Sequence, residues 1–140
     1  MASEQTNNGK NTIFVPGNWF RSLKIAITGL YLIIKNERNF RIQLAIAFMV
    51  GITGIFFDIS HQDWINLGLL VGLVLISESF NSVIEALADT ISGEYRVNIK
   101  YAKDVAAGAV LISSVASVIA GSMIMVPYLL GWMTTNGWLK

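Results

Sequence analysis

The chain has 140 residues, enough for one domain and too few for two ordinary ones. Hydrophobic residues make up 54% and charged residues only 14%, which excludes an ordinary soluble domain and makes a bilayer the natural solvent. A formal net charge of +1 gives no case for nucleic acid, and the lack of Cys excludes disulfides and thiolate metal sites.

Residues 1–18, "MASEQTNNGKNTIFVPGN", are polar and lack the apolar core of a signal peptide. They read as a disordered cytosolic tail that Pro16 and Gly17 close. Residues 19–133 are expected to form one membrane domain, followed by a short C-terminal tail, 134–140. Within that domain, residues 19–38 are too charged to span. Arg21, Lys24, Thr28 and Lys35 recur near helical spacing beside Trp19, Phe20, Leu23, Ile27, Leu30 and Ile34. This predicts an amphipathic helix lying on the membrane surface. Three apolar runs follow, at about 40–57, 64–86 and 105–130. Each approaches or exceeds the roughly 20 residues that a bilayer-crossing helix needs. Helices are expected because backbone groups in lipid must bond within their own segment. The expected fold is thus an all-α membrane protein with a surface helix and three spans.

Lys and Arg set the orientation. Arg21, Lys24, Lys35, Arg38 and Arg41 precede the first span, and Arg96, Lys100 and Lys103 occupy the second loop. The first loop, "DISHQD", has neither. The N-terminus and second loop are therefore expected inside, and the first loop and C-terminus outside. Trp64 and Trp132 then belong to the outer interface and Trp19 to the inner one. Gly68 and Gly72, and Ser113, Ser117 and Gly121, have the spacing that lets helices approach closely.

The second run ends in "LISESFNSVIEALADTISGEY", residues 75–95. On a helix, Glu78, Asn81, Ser82, Glu85 and Asp89 fall within an arc of roughly 100°. Phe80, Val83, Ile84 and Leu87 lie opposite. If the helix left the bilayer at Glu78, only about 14 residues would remain to cross it, below the usual minimum. The acids therefore start inside the membrane, where ionised groups are costly and mark function. Carboxylates alone serve protons or hard cations such as Mg²⁺. With Arg41, Arg96, Lys100 and Lys103 on the same side, they point to phosphoryl transfer. Neither a P-loop nor the kinase glycine-rich motif is present. The stripe alone also permits a non-enzymatic three-span protein, such as a proton or cation pathway or an assembly subunit.

"ESFNSVIEALAD" resembles the signature E-x-x-N-[ST]-x-x-E-x-x-x-D of the small bacterial integral-membrane diacylglycerol kinases, a family that includes undecaprenol kinases. "NERNFR" before the first span and "AKDVAAGAVL" at the start of the third resemble its other blocks, and the likeness covers roughly 20–130. The resemblance implies an ATP-dependent kinase acting on a lipid hydroxyl. It also implies a homotrimer in the inner membrane of a bacterium, with sites shared between chains at the cytosolic face. Glu78 then matches the general base, and Glu37 and Glu85 the metal-binding acids. Asn81 lies near the reacting groups, Lys103 matches the phosphate-binding lysine, and Asp104 is the acid beside it. Glu94 and Tyr95 occupy the nucleotide loop. Arg41 and Asp89 join the substrate- and nucleotide-binding set. Away from the resemblance, Glu37 and Arg41 read equally as a surface ion pair. Lys103 reads as a membrane anchor, and Asp104 as a helix N-cap. Phe80 and Val83 depart from the aliphatic and small residues usual in the family and leave the acceptor open: undecaprenol or diacylglycerol.

Overall fold

The computed structural model describes residues 19–91 and 96–138. These form four helices: α1 (Trp19–Asn36), α2 (Arg38–Phe56), α3 (His61–Ile91) and α4 (Val97–Thr135). The expected tail 1–18 lies outside the described residues, as do Glu94 and Tyr95. The chain divides into two units, with the boundary between Leu32 and Ile33.

Helix α1, whose residues up to Leu32 belong to the first unit, carries its cations along one side and apolar residues along the rest. None of its residues is buried. The helix stops at Asn36, two residues before the expected end, because Glu37 adopts an extended backbone as the N-cap of α2.

In the second unit α2, α3 and α4 are each long and apolar enough to cross a membrane. The all-α fold with three such helices was expected from the apolar runs. α3 and α4 extend beyond those runs at the ends that the second loop joins. Apolar residues surround α2 and α4 on every side, so sequence periodicity does not reveal which face packs. The burial pattern does. On α2, Phe40, Gln43, Ala47, Val50 and Gly54 turn inward. On α3, the inward residues are Leu67, Val71, Val74, Glu78, Asn81, Glu85 and Ala88. On α4, they include Ala106, Val110, Ser113 and Ser117. These alternating three- and four-residue steps are those of helices packed side by side. α3 packs chiefly along α4 and less extensively against α2. Ser117 Oγ crosses that seam to donate to the Leu70 carbonyl at 3.2 Å.

The close approach is elsewhere than the glycine spacing suggested. A Cβ on Gly68 or Gly72 would meet nothing within 4 Å. Gly54 is the tight position: a Cβ there would lie 2.9 Å from Trp64 Cη2 and 3.0 Å from Ile59 Cδ1. The α2–α3 turn thus folds back on α2, with Asp58 at φ 48°. Ser60 caps α3: its Oγ accepts from the Asp63 N–H at 3.2 Å and donates to Asp63 Oδ2 at 2.7 Å. Tyr128 of α4 donates to the same carboxylate at 2.6 Å and accepts from the Ser60 N–H at 3.0 Å. Phe56, Phe57 and Trp132 meet edge-on or tilted at this end, with centroids 5.1 to 6.5 Å apart.

Most large apolar side chains remain exposed, including Leu69, Leu111, Ile112, Val118 and Met123. In water such a surface would be untenable. In a membrane it faces lipid or further helices.

Candidate active site

The packing seam of α3 changes character along its length. Leu67 and Val74 fill it toward one end, and the same helical positions then present Glu78, Asn81 and Glu85. Glu78 is 2% exposed and Asn81 8% exposed. Glu85 is half-buried, and Asp89 is exposed, its side chain 70% open. The acids thus grade from buried to exposed along the helix. Phe80, Val83 and Leu87 point out of the bundle, as the helical arc required.

Each member of the stripe has a defined partner. Gln43 Nε2, on α2, donates to Glu78 Oε2 at 3.2 Å. Asn81 Nδ2 donates to Glu85 Oε1 at 3.3 Å, one turn along the same helix. Ser82 Oγ donates to the Glu78 carbonyl and so does not touch its carboxylate. Lys103 of α4 reaches Asp89 at 2.9 Å, an ion pair at the open end. Two buried oxygens have no partner among the described residues: Asn81 Oδ1 and Gln43 Oε1. Both are acceptors, and both belong to amides whose N–H groups bond the acids Glu85 and Glu78.

The remaining sequence candidates fall around this line. Arg41 does not bond to the Glu37 carboxylate. It donates to the Ile34 and Lys35 carbonyls, at 3.1 and 2.9 Å, and so satisfies the C-terminal end of α1. Glu37 is half-buried, and its side chain makes no capping bond. Asp104 does not cap α4, because the helix begins seven residues earlier, at Val97. It is exposed one residue beyond Lys103.

Sequence reasoning missed Gln43 as a site residue. It is a lone amide within an apolar run, and its partner lies 35 residues away. The lone polar residue was the available signal. Gln43 also borders an apolar groove of about 350 Å³ between the helices, lined by Val50, Leu67, Val74, Ser117 and Gly121 among others.

The buried end of this line of acids thus adjoins Gln43 at the rim of an apolar groove, within helices long and apolar enough to cross a membrane. Residues 24–125 match the family model described as prokaryotic diacylglycerol kinase. The chain belongs to that family and is a lipid kinase, a phosphotransferase with an alcohol as acceptor. It is 36% identical over 111 residues to an undecaprenol kinase of Bacillus subtilis, covering 79% of this chain and 90% of that one. It is 34% identical over 125 residues to a diacylglycerol kinase of Synechocystis, covering 89% and 71%. A diacylglycerol kinase of Escherichia coli K12 is 32% identical over 90 residues, covering 64% and 74%. Membership in the family implies ATP-dependent phosphotransfer to a membrane lipid.

Proposed function

We propose that the chain transfers the γ-phosphate of Mg-ATP to the hydroxyl of a membrane lipid, with undecaprenol favoured over diacylglycerol. The burial of Glu78, one hydrogen bond from the Gln43 that lines an apolar groove, carries this reading. A carboxylate at that depth can reach a lipid hydroxyl, while nucleotide approaches the exposed end of the stripe. Glu78 takes the hydroxyl proton and the lipid oxygen attacks the γ-phosphorus. The bond from that phosphorus to the β–γ bridging oxygen breaks, and ADP leaves. Glu85 lies about 10 Å further along the axis. Asn81 lies between the two acids along the helix and donates to Glu85. Lys103 sits where it can neutralise phosphate charge, with Asp89 holding it until nucleotide arrives. Arg41 and Asp104 complete the cytosolic rim of this reading, and Glu94 and Tyr95 the nucleotide loop.

Among the described residues no three His, Cys, Asp or Glu side chains gather into a cage. Mg²⁺ is ordinarily held by one or two carboxylates plus substrate phosphates. Glu85 and Glu37 are the hard-oxygen donors that would hold it. Bound there, Mg²⁺ would neutralise charge on the transferring phosphoryl group. Membership in the family supports a homotrimer, in which a neighbouring chain covers the open side of the site. The placement of Lys and Arg supports a cytosolic active face, and the prokaryotic family supports an inner membrane of bacterial type. The undecaprenol preference rests on the 36% identity to the undecaprenol kinase of Bacillus subtilis over 79% of this chain and 90% of that one.

The test is radioactive phosphate transfer from ATP, in detergent micelles with Mg²⁺, to undecaprenol, diacylglycerol and ceramide side by side. Phosphorylation of undecaprenol with the highest kcat/KM is expected. Faster turnover of diacylglycerol would reverse the acceptor assignment. No transfer to any of the three by folded protein would remove the catalytic reading. Glu78→Gln should lower kcat by about 10²–10⁴ while ATP still binds.

A further inference from the structure

We propose that Gln43 is a positioning residue that holds Glu78 in both of its protonation states, ionised before phosphoryl transfer and neutral after it. The inference rests on the reading of Glu78 as the base. A carboxylate only accepts hydrogen bonds, whereas the acid formed when it takes a proton must also donate one. A partner that serves both forms therefore needs a donor and an acceptor at one place.

Gln43 has both. Its Nε2 donates to Glu78 Oε2 at 3.2 Å, and no other described side chain bonds to that carboxylate. Its Oε1 is buried and bonds to no described residue. Half a turn about the last side-chain torsion exchanges the two atoms without moving the backbone. The N–H faces the anion before transfer, and the oxygen faces the acid O–H afterwards. An apolar residue would serve neither state, and a lysine would serve only the anion.

The location favours this role. Gln43 lies on the inward face of α2 between Phe40, 4% exposed, and Ala47, and it borders the apolar groove. Glu78 is itself buried. Solvent cannot readily replace the amide on either side of the proton transfer.

The experiment uses the full chain in micelles and measures kcat and KM for ATP and for undecaprenol. The variants are Gln43→Met, Gln43→His and Glu78→Gln. Met matches the length of Gln without its polar atoms. It should lower kcat by about 10- to 100-fold, the range set by losing a hydrogen bond to a charged group. The ATP KM should stay within about twofold, since Gln43 is remote from the exposed end of the stripe. A neutral imidazole carries one N–H and one acceptor, so Gln43→His should retain a kcat several-fold above that of Gln43→Met. Should Gln43→Met fail to fold, the His variant decides: a loss as deep as that of Glu78→Gln overturns the proposal. A Met variant with wild-type kcat, or one altered only in KM, also overturns it. The control separates the two readings. If Glu78→Gln stays active, the base assignment fails and this inference with it. If Glu78→Gln is inactive and Gln43→Met is normal, only this inference fails.

Discussion

Gly54→Ala isolates one packing contact and is expected to destabilise the bundle. The new Cβ would sit 2.9 and 3.0 Å from the Trp64 ring and 3.0 Å from Ile59 Cδ1. Ile59 can turn its terminal methyl away, although it is only 5% exposed. The indole ring is rigid and must move as a whole. Alanine gains at most about 1 kcal/mol in helix preference. Overpacking costs about 1–3 kcal/mol, so the net loss reaches about 2 kcal/mol. The assay is unfolding in mixed micelles, titrated with denaturing detergent and followed by circular dichroism. Gly51→Ala is the internal control, because its Cβ would meet nothing within 4 Å and the helix gain should dominate. In a Trp64→Leu background the Gly54→Ala penalty should shrink, since the ring that it strikes is gone. Midpoints for Gly54→Ala at or above that of the parent would refute the packing argument. So would an undiminished penalty in the Trp64→Leu background.

Other outcomes follow from the same geometry. Lys103→Met should lower kcat/KM for ATP by about 10²-fold or more while leaving the unfolding midpoint almost unchanged, because its pair with Asp89 is exposed. A shifted midpoint with normal kinetics would make the lysine structural. Glu85→Gln should raise the Mg²⁺ concentration needed for half-maximal rate, measured at saturating ATP and lipid. An unchanged Mg²⁺ dependence removes Glu85 from the metal site. Tyr128→Phe should speed heat inactivation, since one hydroxyl ties the α2–α3 turn to α4 through Ser60 and Asp63. Asp63→Asn should add little in that background, and additive losses would show that the two side chains act independently.

The acid stripe is legible in the sequence because two strong constraints coincide on it. Helical periodicity puts Glu78, Asn81, Glu85 and Asp89 on one side, and the cost of charge in a bilayer makes their placement selective. Apolar run length likewise specifies three membrane-crossing helices. Inward faces are a different matter. In α2 and α4 every side is apolar, so hydrophobic pattern carries no information about packing. Gly68 and Gly72 had the right spacing for a close approach and make none within this chain. Gly54 had no such spacing and lies under Trp64.

Sequence by itself determined what is local or additive: membrane residence, helix count, the polar arc and the motif that marks a lipid kinase. Tertiary structure decided what joins distant segments: Gln43 with Glu78, Lys103 with Asp89, and Tyr128 with Ser60 and Asp63. The physical reason is that helical propensity and lipid solubility are properties of a segment. A hydrogen bond between helices depends on rotation and offset, and only packing sets these.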